Sequence, residues 1–321
     1  MCGYEHTQKP ASVAAAKSSS SSSSCLSSAV TSATSISSRS LSVADKAVIR
    51  NYHLLLELIN TERQYHNDLQ ILVQVYLHNL PKALSYPTRN LIKRNISSIL
   101  ALHSRIMQSI DKVLDEEHLH LDNFSIGPGS AVYKRAIDRC TDKVANSFSD
   151  QAAYFDIYNE FCANHPRALS KLSASTGLPI WHGYERKCFL QSQQYHPQNN
   201  KLQLKDYLIK PIQRVCRYPL LLDSLSKTSN HNGSYIDNAL RIMKQVARKA
   251  DQARLECEQQ EKSQLIAARC EGHSELSASE INSFGTAKLV GALDVFVHNS
   301  KLPLVPPLKV KVSLLIWREY R

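Results

Sequence analysis

Residues 202–225 read LQLKDYLIKPIQRVCRYPLLLDSL. Leu208, Ile212, Val215, Pro219 and Leu222 step by four and three, the spacing of one face of an α-helix. Ile209, Gln213 and Arg217 step by four and form an adjacent stripe. Pro211 and Pro219 both fall inside this pattern. Each lacks a backbone donor and disfavours helix at the residue before it, so local rules would break the helix twice. Two readings remain open on spacing alone. One is a kinked helix held by tertiary packing; the other is a pair of short helices whose basic face, with Lys210, Arg214 and Arg217, is solvated.

The same helical periodicity extends in both directions. Toward the N-terminus a long helix is predicted over 45–79, with the stripe Val48, Tyr52, Leu55, Ile59, Tyr65, Leu69, Leu72 and Tyr76. Ser42 with Asp45 is a weak capping box, and Pro81 marks the end. Glu62 falls inside the apolar stripe, between Ile59 and Tyr65. A carboxylate there must be paired or lie at an exposed helix edge, because burying it alone is costly. Further helices are predicted over 86–115, 130–147, 149–174, 181–194, 203–228 and from Tyr235 to Arg269. The breaks between them are Gly127-Pro128-Gly129, Gly177-Leu178-Pro179, the polar run His196–Lys201 and the loop Asn230–Ser234.

After a linker over 271–287 the pattern changes. Leu289–His298 and Lys309–Trp317 are rich in Val, Leu, Ile and Phe with partial alternation and read as strands, with Pro303, Pro306 and Pro307 between them. Residues 1–44 are rich in Ser and Ala and include the run Ser18–Ser24. Such a segment buries too little apolar surface to offset its ordering entropy and is expected to be a disordered tail. The expected fold is therefore all-α, an elongated bundle, followed by a short β segment.

Composition limits the function classes. Glycine is scarce, 9 in 321 residues, which suits long helices with few tight turns. The formal net charge of +11 favours anionic partners without choosing among nucleic acid, acidic lipid and acidic protein. The eight cysteines include no CxxC pair and no zinc-finger spacing, so reduced, mostly buried thiols are expected. No apolar leader and no stretch of about 18 apolar residues is present, so neither a signal peptide nor a membrane-spanning helix is expected. No phosphate-binding loop, nucleophile–base arrangement or metal-ligand motif stands out, and no cofactor is expected.

Three ordered blocks carry a family resemblance. ELINTERQYHNDLQIL, at 57–72, resembles the first conserved region of Dbl-homology (DH) domains, with its Glu-Leu-hydrophobic-x-Thr-Glu-x-x-Tyr pattern. IGPGSAVYK at 126–134 and YFDIYNEFCANHPRAL at 154–169 resemble the middle region. LKDYLIKPIQRVCRYPLLL at 204–222 resembles the third, with Leu-Ile-Lys-Pro, Gln-Arg and Tyr-Pro-Leu-Leu-Leu in place. The resemblance covers about 46 to 262 and implies an elongated helical bundle that promotes nucleotide exchange on a Rho-family small GTPase of Rho or Rac type. Such exchange works by differential binding: the factor favours the nucleotide-free GTPase and so speeds GDP release, with no covalent chemistry and hence no enzyme in the strict sense.

Residue roles follow from the same resemblance. Glu62 matches the glutamate that engages switch I, and Gln213 and Arg217 match positions on the switch II side. Arg217 stands where Lys is frequent; the charge is kept but the planar guanidinium donates differently. Asp251 stands where many members carry Asn, and a carboxylate cannot donate as an amide does. Ile209 falls where the family reads an aromatic side chain of the GTPase, and hints at Rac. A pleckstrin-homology (PH) domain usually follows, and Leu289–Trp317 resembles its first strands; residues 288–321 are too few for the closed barrel, as in a fragment. A cytoplasmic protein recruited to the plasma membrane is implied, with weak anionic membrane contact and no nucleic acid. The competing reading is a catalytically silent helical scaffold or a basic membrane-associated adaptor.

Overall fold

A computed structural model describes residues 43–118, 131–195, 202–228, 235–270, 277–283, 285–297 and 308–318. Of the tail expected over 1–44, residues 1–42 lie outside the described residues, as do the Gly127-Pro128-Gly129 break and the loops expected at 196–201 and 230–234, while residues 43 and 44 already belong to a helix.

Helix α1 spans Val43–Ile71 and continues into a π-helical turn, Leu72–Leu77. Leu72, Val75, Tyr76 and Leu77 of that turn are all buried. Side chains from a later helix reach carbonyls of this turn. Tyr184 donates its hydroxyl to the Tyr76 carbonyl at 3.0 Å, and the Cys188 thiol approaches the Val75 carbonyl at 3.7 Å.

The helix expected over 86–115 is two: α2, Tyr86–Lys93, and α3, Ile96–Glu116. Ser85 caps α2, accepting from the Thr88 amide. The break falls at Arg94, whose φ of 46° lies in the left-handed region rarely adopted by a side chain of this size. Tertiary contacts hold it there: its guanidinium lies 3.8 Å above the Phe161 ring and donates to the Phe161 carbonyl at 3.1 Å. Asn95 bridges to the Ile157 carbonyl at 2.8 Å.

Helix α4 is Ala131–Asp150, followed by a short 3₁₀ turn, Ala152–Asp156. The single helix expected over 149–174 is instead that turn plus α5, Ile157–Ala163, and α6, His165–Thr176. Pro166, in the first turn of α6, explains why a new helix begins there. Helix α7 is Pro179–Ser192.

The decisive stretch splits as the second reading allowed, but only at its first proline. Helix α8, Leu204–Leu208, and α9, Lys210–Thr228, meet at Ile209, and Pro211 enters the first turn of α9 where its missing N–H is not needed. Pro219 lies inside α9, so the helix runs through it. Packing supplies the compensation, since Val215, Tyr218, Leu221, Leu222 and Leu225 are all buried. Helix α10 is Tyr235–Cys270, close to the predicted span. It packs on α4, α5 and α9, while α1 packs on α3 and α9. The expected linker contains a short helix, α11, Ala278–Ser283. Strands β1, Thr286–Val297, and β2, Leu308–Arg318, pair antiparallel with Val297 opposite Leu308, and the register shifts between Leu289 and Gly291.

Among the described residues no helix is long and apolar enough to cross a membrane. Cys140, Cys162 and Cys188 are buried free thiols, whereas Cys216 is exposed.

Candidate functional site

The seam between α1 and α9 has a closed side and an open side, and the sequence determines which residue takes which. On α1, Leu55, Leu58, Ile59, Glu62, Tyr65 and Leu69 face inward and are buried. Glu57 and Gln64 are exposed and Thr61 half-buried, on the helix edge one step round.

Glu62 is fully buried, which corrects the expectation that it engages a partner: it has no surface to present. It is the centre of a polar cluster built by four helices. Arg214 of α9 donates to Glu62 Oε2 twice, from Nε at 2.9 Å and Nη2 at 2.6 Å. Tyr218, one turn further on, donates to the same oxygen at 2.8 Å. His103 of α3 donates from Nδ1 to Oε1 at 2.6 Å. The second His103 nitrogen pairs with the Tyr158 hydroxyl of α5 at 2.8 Å, and that hydroxyl with Tyr65 at 2.8 Å. Arg214 also donates to Thr61 Oγ1 at 2.8 Å.

Burial alone would push the Glu62 carboxyl upward; the charges of Arg214 and His103 and the hydrogen bonds from His103 and Tyr218 outweigh it and hold the group at about 2. Burial, reinforced by the neighbouring carboxylate, drives the Tyr218 hydroxyl well above its usual value. The paired alternative for Glu62 is therefore the one the fold adopts. Its work is to fix how α1, α3, α5 and α9 cross.

The open side carries different groups. Arg217 donates to Glu57 at 2.7 Å, and the two side chains are 49% and 44% exposed. A shallow pocket of about 190 Å³ opens beside them, lined by Thr61, Gln64, Tyr65, Asp68, Lys210, Gln213, Arg214 and Arg217. Lys210 closes one end by pairing with the buried Asp68 at 2.7 Å. Gln213 is exposed on this pocket, and Ile209 is half-buried at the α8–α9 junction. Asp251 is exposed on α10, near enough to α9 for its charge to help burial raise the Cys216 thiol. It accepts two bonds from Arg254 of its own helix, at 3.1 and 3.3 Å.

The fold thus brings Gln213 and Arg217 to one pocket, sets Ile209 at the start of the same helix and sends Glu62 inside. Glu57, Thr61, Gln64 and Asp68 are not among the residues the sequence singles out, and Lys210 is so only as part of a basic face. The usable signal was spacing: 57, 61, 64 and 68 step by four, three and four along one edge of α1. Among the described residues no cluster of three or more His, Cys, Asp or Glu could hold a metal ion.

The fold is that of solved DH/PH exchange-factor domains. The DH/PH domains of p115-RhoGEF superpose with a TM-score of 0.60 at 18% identity, over 84% of this chain and 75% of that one. The DH/PH domains of PDZ-RhoGEF, solved in complex with GTP-γ-S-activated RhoA, give 0.59 at 16% identity, over 84% and 73%. Residues 54–251 match the RhoGEF domain, and the chain belongs to that family. Curated relatives include the human phosphatidylinositol 3,4,5-trisphosphate-dependent Rac exchanger 2 protein, 27% identical over 65% of this chain, and mouse Rho guanine nucleotide exchange factor TIAM2, 27% identical over 65%. The chain spans 12% and 11% of the lengths of these two relatives.

Proposed function

We propose that this chain is a guanine-nucleotide exchange factor for a Rho-family small GTPase, and that the open side of the α1–α9 seam docks it. The observation that carries the reading is the exposed Glu57–Arg217 pair beside a polar pocket, within the stretch that matches the RhoGEF domain. Exposed ion pairs are weak in water, so a partner can open this one and take both charges. Glu57 replaces Glu62 as the carboxylate offered to switch I, because it alone of the two reaches the surface. Gln213 and Arg217 face the switch II side, with the 68%-exposed Leu220 continuing their stripe. In this reading Ile209, at the start of α9, and Asp251, whose charge reaches Cys216 of α9, border the docked partner. Exchange then follows from tighter binding to the nucleotide-free GTPase. Strands β1 and β2 fit the opening strands of a PH-like domain, and a cytoplasmic protein recruited to the membrane is consistent with the net charge of +11.

The test is release of fluorescent GDP from a panel of Rho, Rac and cell-division-control-type GTPases. Acceleration with at least one is expected; none with any would remove the reading. A silent scaffold is the second reading, favoured by one observation: Asp251 already holds Arg254 of its own helix. It predicts GTPase binding without release.

A further inference from the structure

Helix α7 has one face that the bundle does not use. Trp181, Tyr184, Cys188 and Ser192 turn inward and are buried. The opposite side runs Ile180, Gly183, Lys187 and Leu190, stepping by three, four and three. Ile180 is 49% exposed and Leu190 59%, and Leu178, just before the helix, is 39% exposed. Ile180 and Leu190 lie on one side of α7 with Lys187 between them, and Leu178 adds a third exposed aliphatic side chain at the entry to the helix. Lys187 lies within this stripe and Arg186 beside it, and both are exposed. From His165 to Tyr195 the chain carries four Lys and Arg against one acid, Glu185. Arg186 makes no ion pair among the described residues, and Lys187 makes one hydrogen bond, to Asn79 at 3.0 Å. The face is also held rigidly, because α7 is seated on the π-helical turn through Tyr184 and Cys188.

We infer that this face of α7 is a docking surface for an anionic lipid bilayer. Exposed aliphatic side chains interleaved with Arg and Lys on one open helix face are the pattern of a helix lying in a membrane interface. The aliphatic groups enter the headgroup boundary while the long basic side chains reach the lipid phosphates. Other occupants fit less well. Nucleic acid would use the cations but gain nothing from Ile180 and Leu190, since base stacking needs aromatic planes. A second copy paired about a two-fold axis would set Lys187 and Arg186 against their own equivalents. The face also lies away from the proposed GTPase site. Asn79, which Lys187 touches, is 11 residues beyond Asp68 and 22 beyond Glu57, so the face begins past the Asp68 end of that site. Membrane contact and GTPase docking need not compete.

The test is flotation of the full chain with vesicles of phosphatidylcholine alone and of phosphatidylcholine mixed with phosphatidylserine, at low and at physiological salt. Binding to the mixed vesicles is expected, weakening as salt rises. Arg186→Glu with Lys187→Glu should reduce it about tenfold or more, by reversing two charges at the surface. Ile180→Glu with Leu190→Glu should reduce it comparably. Circular dichroism and thermal melting confirm that each variant is folded, as exposed positions allow. GDP release in solution should be unchanged in both, and this readout stands apart from the binding, so failure of the exchange reading leaves the lipid result interpretable. Failure of the wild type to float, or wild-type flotation by either double variant, overturns the inference. Concentration-dependent dimerisation abolished by the Ile180/Leu190 variant, without vesicle binding, would likewise overturn it and assign the face to a second copy.

Discussion

Glu57 and Arg217 meet at 2.7 Å across the α1–α9 seam, each close to half exposed, while Glu62 and Arg214 make the equivalent pairing fully inside the same seam. The two pairs join the same two helices and have opposite consequences. In the outer pair solvent screens the attraction, so its loss should change stability by less than about 1 kcal/mol. A GTPase that takes the Glu57 carboxylate excludes that solvent, and the same charge becomes worth more. Glu57→Ala should therefore slow catalysed GDP release about tenfold or more, with no comparable fall in thermal midpoint. Exchange kinetics and a melting curve on one preparation decide it; wild-type exchange would sink the assignment.

The inner pair makes the contrary prediction. Removing Glu62 leaves Arg214 buried with its charge uncompensated, and leaves the Tyr218 hydroxyl and His103 Nδ1 without their acceptor. Glu62→Ala should cost about 3–5 kcal/mol of folding stability, as breaking one side of a buried ion pair does. Exchange should fall in proportion to the folded fraction. Urea unfolding gives the stability directly. A variant as stable as the wild type would show that the cluster is not a structural anchor.

The contrast also marks what the sequence could carry. Periodicity gave α1, α9 and α10 their places and flagged Glu62 as out of keeping with its stripe. It could not say whether that acid faced water or a guanidinium 152 positions away, because pairing across helices is tertiary information. The resemblance drew attention to the second glutamate of ELINTE when the first is the exposed one. The helix break at Arg94 has no proline or glycine to announce it. It rests on contacts with Phe161, far along the chain. Pro219 shows the reverse: a strong local signal to stop, overridden by the buried residues around it.

His165 gives a pH dependence whose sign follows from its surroundings. Burial, with the nearby Arg94 guanidinium 3.3 Å from its ring nitrogen, holds the imidazole down at about 4, against an ordinary 6.5. Between those values the unfolded chain binds a proton that the folded chain refuses, so stability is full above about pH 6.5 and declines as pH falls toward 4. Glu62 adds to the acid side only lower down. Its stability is complete above the ordinary 4.5 and is lost as pH falls through about 2. His165→Gln should flatten the dependence between pH 7 and pH 5 in a urea-midpoint series, relative to wild type. An unchanged slope would mean that other histidines carry it.

Asp251 offers a way to separate a working exchange factor from a silent scaffold. Its carboxylate is exposed and accepts from Arg254 three residues on, a pairing within one helix that contributes only a few tenths of a kcal/mol. Asp251→Asn should therefore leave stability nearly unchanged. It gives the docking face a side chain that can donate as well as accept, and it weakens the hold of Arg254. If Asp251 limits exchange, the variant should speed GDP release about threefold to tenfold, the range of one added hydrogen bond. The increase should vanish when Glu57→Ala is combined with it, because both act through the same docked complex. Equal rates for wild type and Asp251→Asn, alongside measurable GTPase binding by both, would count for the scaffold.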